Sequence, residues 1–321
     1  MKTSFVKDLK PGLEVAEFFV LRKKELKEYE GKRFLKLEMG DRSGRIDAVV
    51  WENSDQLYER AEVGEVVKVK AWVTTYKEVP QLKVDRMRKA KDDEIDLADF
   101  LPTSERDLKL LYDDFRRTVQ TIENRYLRKL LDILMEDSSL MEKFMRAPGG
   151  KLWHHARLGG LLEHTLAVVS ICQKAAEMYD LVDRDLLITG ALVHDIGKVD
   201  SYSVSGFFDY TDEGRLLGHV VSGDELIDRK IRKIADFPQH LALKLKHLIL
   251  SHQGQLEMAS PVVPQTIEAV ILHYADELDA KADAFSHIIK TQKIKGKKWS
   301  DWVRLIDRFI YFGEDEEEGK T

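Results

Sequence analysis

The sequence predicts a multidomain chain, with a small N-terminal β-barrel followed by an all-α domain. Three observations carry that prediction. Up to residue 90 apolar residues alternate with a period of two between turn signals, as they do in strands. Beyond residue 108 they recur at three and four, as they do on helices packed by one face. Between the two patterns lies 92–107, with Asp92-Asp93-Glu94 and Leu101-Pro102, which reads as an acidic linker. The expected layout is a barrel over 1–91, that linker, a helical domain over 108–312 and an acidic tail over 313–321.

In the first part, Glu14 to Leu21 is apolar-rich, and Arg33 to Met39 alternates through Phe34, Leu35 and Leu37. The turn Asp41-Arg42-Ser43-Gly44 leads into Arg45 to Trp51, where Ile46, Ala48 and Val50 alternate. A short helical piece follows from Asn53 to Ala61, and Val66 to Thr74 and Gln81 to Met87 supply the last two strands. Five strands with a helix between the third and fourth is the order of an OB-fold, a Greek-key barrel that binds oligonucleotides. The stretch "DRSGRIDAVVW" resembles the anticodon-binding type of OB module. A face for single-stranded nucleic acid needs aromatic platforms beside cations. Phe34, Trp51, Trp72 and Tyr76 are available, with Arg33, Lys36, Arg45, Lys68, Lys70 and Lys83 on neighbouring positions. Lys68, Lys70 and Trp72 share strand parity, so they point to one face and are taken as substrate-binding residues. The blander alternative for Phe34 and Trp51 is barrel core, and for the lysines a solvated surface.

In the second part, Leu108 to Ile122, Arg125 to Met135 and Ser138 to Met145 carry helical spacing. Ser104, three residues before Asp107, predicts the cap of the first helix. Leu161, Thr165, Val168, Val169 and Cys172 mark a core stripe with His164 on its flank. Leu187, Ala191, His194, Asp195 and Lys198 would lie along one buried stripe of a single helix. A further helix opens at Leu217-Gly218-His219. Another, Leu241 to Ser251, ends at His252 and is stopped by Gly254. The last runs from Pro264 to Lys290 and carries His273, Asp276 and Asp279.

An imidazole beside an ionised carboxylate on a buried stripe is costly unless compensated, and a divalent cation compensates directly. Alone, His194-Asp195 reads more readily as a pair satisfied by its own hydrogen bond. Together with His164, His219, His252 and Asp276 it becomes a constellation on helix ends and flanks, which is how helical bundles build metal sites. This order resembles the HD-domain metallophosphohydrolases. With "HHARLGGLLEHT", "HDIGK" and "EGRLLGH" behind an OB-fold, nearly the whole chain resembles 3′-to-5′ exoribonucleases of the YhaM type.

The resemblance implies a metal-dependent 3′-to-5′ exonuclease that hydrolyses phosphodiester bonds of single-stranded RNA, with single-stranded DNA as a further substrate. It implies that His164, His194, Asp195 and Asp276 hold one divalent ion, and that Asp195 bridges to a second held by His219 and His252. Mn²⁺ is favoured over Fe²⁺, Co²⁺ or Zn²⁺. One departure concerns the second ion: such relatives carry two adjacent histidines after the fourth helix, where this chain has His252-Gln253. Asp195 and Lys198 are the expected catalytic residues, with Lys198 directed at the scissile phosphate or the leaving oxygen. His155 is expected to touch phosphate or base, and His154 to pack or face solvent. Two other readings stand beside this one. A phosphohydrolase of small nucleotides or cyclic dinucleotides would leave the basic barrel face idle. A non-catalytic OB-fold nucleic-acid-binding protein would have no physical reason to keep six buried ligands.

Composition narrows the setting. Net charge is −6, but the first 91 residues hold 21 Lys and Arg against 16 Asp and Glu, a net +5, and the rest carry −11. The overall sign therefore does not argue against an anionic partner. No apolar run approaches the roughly 18 residues of a membrane span, and Asp8 interrupts the N-terminus before a signal-peptide core could form. One cysteine, Cys172, rules out an internal disulfide and a cysteine-rich zinc site. A cytoplasmic protein with no membrane association is the simplest expectation. The amphipathic segment Trp299 to Ile306, with two tryptophans, would pack on the chain's own core or on a second copy, and the family resemblance favours a homo-oligomer.

Overall fold

The structure is a computed structural model that describes residues 2–151 and 153–314. The tail beyond Glu314, expected to be acidic and solvated, lies outside the described residues. The chain forms two compact units, Met1–Thr103 with Ser203–Asp209, and Ser104–Tyr202 with Tyr210–Thr321.

In the first unit five strands close a barrel in the order β1-β2-β3-β5-β4. These are β1 (Glu14–Tyr29), β2 (Lys32–Asp41), β3 (Gly44–Val50), β4 (Val66–Tyr76) and β5 (Val79–Lys89), with α1 (Ser54–Tyr58) between β3 and β4. That is the OB-fold order expected from the sequence. The parallel pair Asp47↔Gln81 to Val49↔Lys83 closes the ring, and the other joins are antiparallel. Period-two alternation puts Phe19, Leu35, Leu37, Met39, Val67 and Leu82 inside, almost wholly buried. β1 runs eight residues past its expected end. A register shift between Leu21 and Lys23 lets its second half pair with β2 through exposed residues, so apolar content alone did not reveal it. Residues of the expected linker pack on the barrel, where Phe100 joins Phe18, Val20, Val66 and Ala90.

The second unit is built from α2 (Leu108–Gln120), α3 (Arg125–Met135), α4 (Ser138–Arg146), α5 (Gly160–Met178), α6 (Arg184–Val193), α7 (Lys198–Ser201), α8 (Asp212–Leu216), α9 (His219–Ile231), α10 (Gln239–Ser251) and α11 (Ile267–Gln292). Local chemistry sets most starts. Asp107, Asn124, Asp137, Asp183 and Thr266 accept backbone N–H groups of the helices they open. The cap of α2 is thus Asp107; Ser104 instead accepts from Arg106 N at 3.1 Å. Leu111, Phe115, Leu161, Val168, Ile188, Leu192, Leu245 and Leu272 belong to one continuous core. Among the described residues no helix is long and apolar enough to cross a membrane.

The single helix expected through Lys198 is interrupted. α6 stops at Val193, His194 to Gly197 form tight turns, and Lys198 opens α7. All five stripe residues are nevertheless buried. The break follows from Gly197: a Cβ there would stand 2.0 Å from His219 O and 2.5 Å from Gly223 N. The turn exists because α9 packs onto bare backbone, and that contact delivers His219 to the same place as His194 and Asp195.

Candidate active site

All six predicted ligands converge in the helical unit. His164 comes from the start of α5 and His194-Asp195 from the turn after α6. His219 is the first residue of α9, His252 follows α10 and Asp276 faces in from α11. Asp195 is the hub. Its Oδ2 lies 3.5 Å from His164 Nε2 and 3.4 Å from His194 Nε2. Its Oδ1 lies 3.3 Å from His219 Nε2 and 3.5 Å from His252 Nε2. Asp276 Oδ1 stands 3.1 Å from His164 Nε2.

The acceptors fix the tautomers. His194 Nδ1 donates to Ala191 O at 2.9 Å, His252 Nδ1 to Ile249 O at 2.6 Å, and His164 Nδ1 to Asp279 Oδ2 at 2.7 Å. Carbonyl and carboxylate oxygens only accept, so each Nδ1 carries a proton, and each Nε2 is the nitrogen that presents a lone pair once a cation takes the place of any second proton. His164 Nε2 and His194 Nε2 then face one another at 3.3 Å, an arrangement that a shared cation would stabilise. Both Asp195 oxygens and His219 Nε2 are buried without a hydrogen bond of proper geometry. Each such group costs about 1–3 kcal/mol if left alone. Lys198 Nζ, 2.6 Å from Asp195 Oδ2 and donating to Gly149 O at 2.6 Å, supplies one opposing charge.

The protonation balance has the same sense. Burial pushes His219 down to about 3, which leaves it neutral. Burial also works to lower His164, yet the carboxylates of Asp195, Asp276 and Asp279 outweigh it and drive that imidazole well above its ordinary value. Asp195 and Asp276 are held below the usual range against their burial, the first chiefly by Lys198 and His194, the second by His164 and His194. Imidazole lone pairs around carboxylates with surplus negative charge fit a divalent cation.

A second set of groups holds the first. Asp279 accepts from both His164 Nδ1 and His155 Nε2, the latter at 2.8 Å. His155 N donates to Asp283 Oδ2 at 2.6 Å, and Arg157 Nη2 donates to His155 Nδ1 at 2.9 Å. Arg157 also pairs with Glu163 and Asp283, each at 2.9 Å. His155, expected to contact phosphate or base, has both ring nitrogens and its backbone N–H engaged within the chain, at a left-handed φ of 46°. Asp283, Arg157 and Glu163 were not singled out in the sequence. The signal for Asp283 existed: Asp276, Asp279 and Asp283 fall at i, i+3 and i+7 of α11.

On the second-ion side, Gln253 Nε2 donates to His252 Nε2 at 3.0 Å, so an amide occupies the lone pair that faces Asp195. His273 Nδ1 donates to His252 O at 2.9 Å, and its ring fills the space where a Cβ on Gly254, at φ +79°, would lie. His154 packs, one of the two outcomes expected of it, but both of its ring nitrogens are buried without a partner.

The barrel unit carries a separate candidate surface. β4 does turn Lys68, Lys70 and Trp72 outward. Lys70 pairs with Glu14 at 3.0 Å, and Lys68 sits over the Phe18 ring at 5.0 Å. A groove of about 520 Å³ is lined by Tyr29, Phe34, Lys36, Trp51, Tyr76 and Lys83, among others. Phe34 and Trp51 stack there with ring centroids 4.8 Å apart, and Trp51 is 45% exposed, so these aromatics are not barrel core. Trp72 pairs in register with Lys83, which places it beside this groove.

Comparison with known proteins agrees with both units. The OB-fold nucleic acid binding domain family matches residues 19–90, and the HD domain family matches residues 161–281. The 3′-5′ exoribonuclease YhaM of Bacillus subtilis is 33% identical over 288 residues, 88% of each chain. The protein belongs to the YhaM family. The 3′-5′ exoribonuclease YhaM of Listeria welshimeri is 29% identical over 286 residues, 87% of this chain and 90% of its own. A looser likeness is to the HD domain of the Listeria monocytogenes phosphodiesterase PgpH, with 18% identity and a TM-score of 0.30 over 48% of this chain and 80% of that one. As a YhaM-family chain with an OB-fold and an HD domain, the protein binds divalent metal and single-stranded nucleic acid.

Proposed function

We propose that the protein is a metal-dependent 3′-to-5′ exonuclease that hydrolyses phosphodiester bonds of single-stranded RNA, with single-stranded DNA as a further substrate. The observation that carries the reading is the division of Asp195, whose two buried oxygens face two separate pairs of histidine Nε2 atoms. His164, His194, Asp195 and Asp276 would hold one ion, Mn²⁺ by preference, and Asp195, His219 and His252 a second beside Gln253. Two such ions would acidify water and clamp the attacking and leaving oxygens of an in-line displacement.

The chain's own residues do the rest. Ala191 O, Ile249 O and Asp279 hold the Nδ1 protons, which turns each Nε2 toward the ions, and Gln253 must release His252 Nε2 before the second ion can bind there. Lys198 keeps Asp195 ionised. Loop residues around Gly149 hold Lys198 in turn. On the barrel, the Phe34–Trp51 stack and Tyr76 offer faces to successive bases, while Lys36, Lys83, Lys68 and Lys70 offset backbone charge. A homo-oligomer belongs to the same reading. Its support is the C-terminal hairpin, where Trp299, Trp302, Phe309 and Tyr311 are each about half exposed.

The test uses Mn²⁺ with 5′-labelled single-stranded RNA and the Asp195→Ala variant as control. A ladder that shortens from the 3′ end and is absent in the variant is expected. Binding without cleavage across Mn²⁺, Fe²⁺, Co²⁺ and Zn²⁺ would sink the proposal.

A further inference from the structure

The loop between α4 and α5 wraps the metal centre, and most of its polar groups are accounted for. Gly149 O holds Lys198, and His155 and Arg157 belong to the carboxylate network of α11. His154 is the exception. Its ring centroid lies 5.3 Å from that of His164, and Lys198, Asp195 and Asp276 are close enough to act on its charge. Yet neither ring nitrogen has a hydrogen-bond partner among the described residues, and both are shut off from solvent. His154 also belongs to none of the three clusters in which imidazole and carboxylate atoms lie close enough together to share an ion.

A buried imidazole whose two nitrogens meet no group of the protein is destabilising unless something that enters the site supplies a partner. The imbalance is removed if a ligand supplies the missing acceptor. That ligand must be small enough to enter a site already crowded by ion-holding groups, and it must carry anionic oxygen, because Lys198 and any bound cations make the surroundings positive. A neutral imidazole provides one N–H donor for such an oxygen. We propose that His154 is a substrate-contacting catalytic residue whose ring N–H binds a non-bridging oxygen of the scissile phosphate on the His164 side of the metal centre. The inference rests on the phosphodiesterase reading above.

The neighbouring His155 is the natural contrast. Its nitrogens are consumed by Asp279 and Arg157, so it positions groups, whereas His154 has a bond to give. The two adjacent histidines therefore have opposite signatures under substitution.

The experiment compares the full chain with His154→Ala and His154→Gln, using hydrolysis of labelled single-stranded RNA and of bis(p-nitrophenyl) phosphate, Mn²⁺ affinity by calorimetry, and inhibition by AMP. Loss of a hydrogen bond to a charged phosphate should lower kcat/KM of His154→Ala about 10- to 100-fold on both substrates and weaken AMP inhibition in step. Mn²⁺ affinity should stay unchanged, and His154→Gln should recover part of the loss through its side-chain N–H. Unaltered kinetics in both variants would overturn the proposal, as would a parallel fall in Mn²⁺ affinity, which would make His154 an ion-holding group. If the parent chain hydrolyses the simple diester but does not shorten RNA, the exonuclease reading fails while the His154 comparison is still read on the diester.

Discussion

The metal centre and the barrel groove handle charge in opposite ways. In the candidate metal centre three of the ionisable groups are wholly buried and held by a named neighbour: His164 by Asp279, His194 by its own helix, Asp195 by Lys198. In the groove the cations lie on the surface and their pairs are loose, as with Lys36 and Asp47 at 3.5 Å. The first arrangement fixes atoms to fractions of an ångström, as bond-making requires. The second, as the proposed strand-binding face, would tolerate many base sequences, because stacking faces and screened cations accept many geometries. Precision and promiscuity are thus assigned to different units of one chain.

The contrast can be broken at graded points. The largest effect is expected for Asp195→Asn, which halves the negative charge offered to the ions and removes the hub of both histidine pairs. Activity on RNA and on a minimal diester should both fall about a thousandfold or more, read as kcat at saturating Mn²⁺. Asp279→Ala comes next. It frees the Nδ1 proton of His164 without touching an ion, so Mn²⁺ affinity should drop about 10- to 100-fold by calorimetry, with kcat largely restored at high Mn²⁺. Full activity at low Mn²⁺ would remove Asp279 from the site.

Substitutions in the groove should have a different signature. Trp51→Ala removes one stacking face, and KM for RNA should rise about 5- to 100-fold, while hydrolysis of bis(p-nitrophenyl) phosphate stays as it was. Equal loss on both substrates would mean that Trp51 supports the fold rather than the strand. Smallest of all, Lys36→Ala with Lys83→Ala should lower affinity only modestly. Its mark is a flatter dependence of binding on salt, by about 0.7 in log–log slope for each phosphate no longer neutralised. An unchanged slope would place the backbone elsewhere on the barrel.

Much of this was legible in the sequence because it depends on local periodicity. Strand alternation placed the barrel, and helical spacing brought Arg125–Met135 to its observed bounds. The six candidate ligands were readable as residue types on helix ends and flanks. What could not be read depends on contacts between segments far apart in the chain. The break after Val193 is set by α9 packing on Gly197, and no property of the stretch 187–198 announces it. The engagement of His155 depends on Asp279 and Asp283, more than a hundred residues away. The exposed Phe34–Trp51 stack could have been read from strand parity, since Phe34 is out of phase with Leu35 and Leu37, and Trp51 with Ile46, Ala48 and Val50.

The hydrogen bonds from His194 to Ala191 O and from His252 to Ile249 O have a further consequence. In both cases the acceptor is a main-chain carbonyl three residues back, at the end of a helix. Which nitrogen faces the ion is therefore decided by where a helix stops, and every amino acid carries the carbonyl that decides it. Any side chain at 191 or 249 that fits the core leaves the carbonyl in place, whereas a one-residue insertion or deletion in the last turn of either helix would re-aim the histidine that follows it. Heredity protects this half of the site through chain length, and His164, which relies on a side chain, is where substitution can reach it.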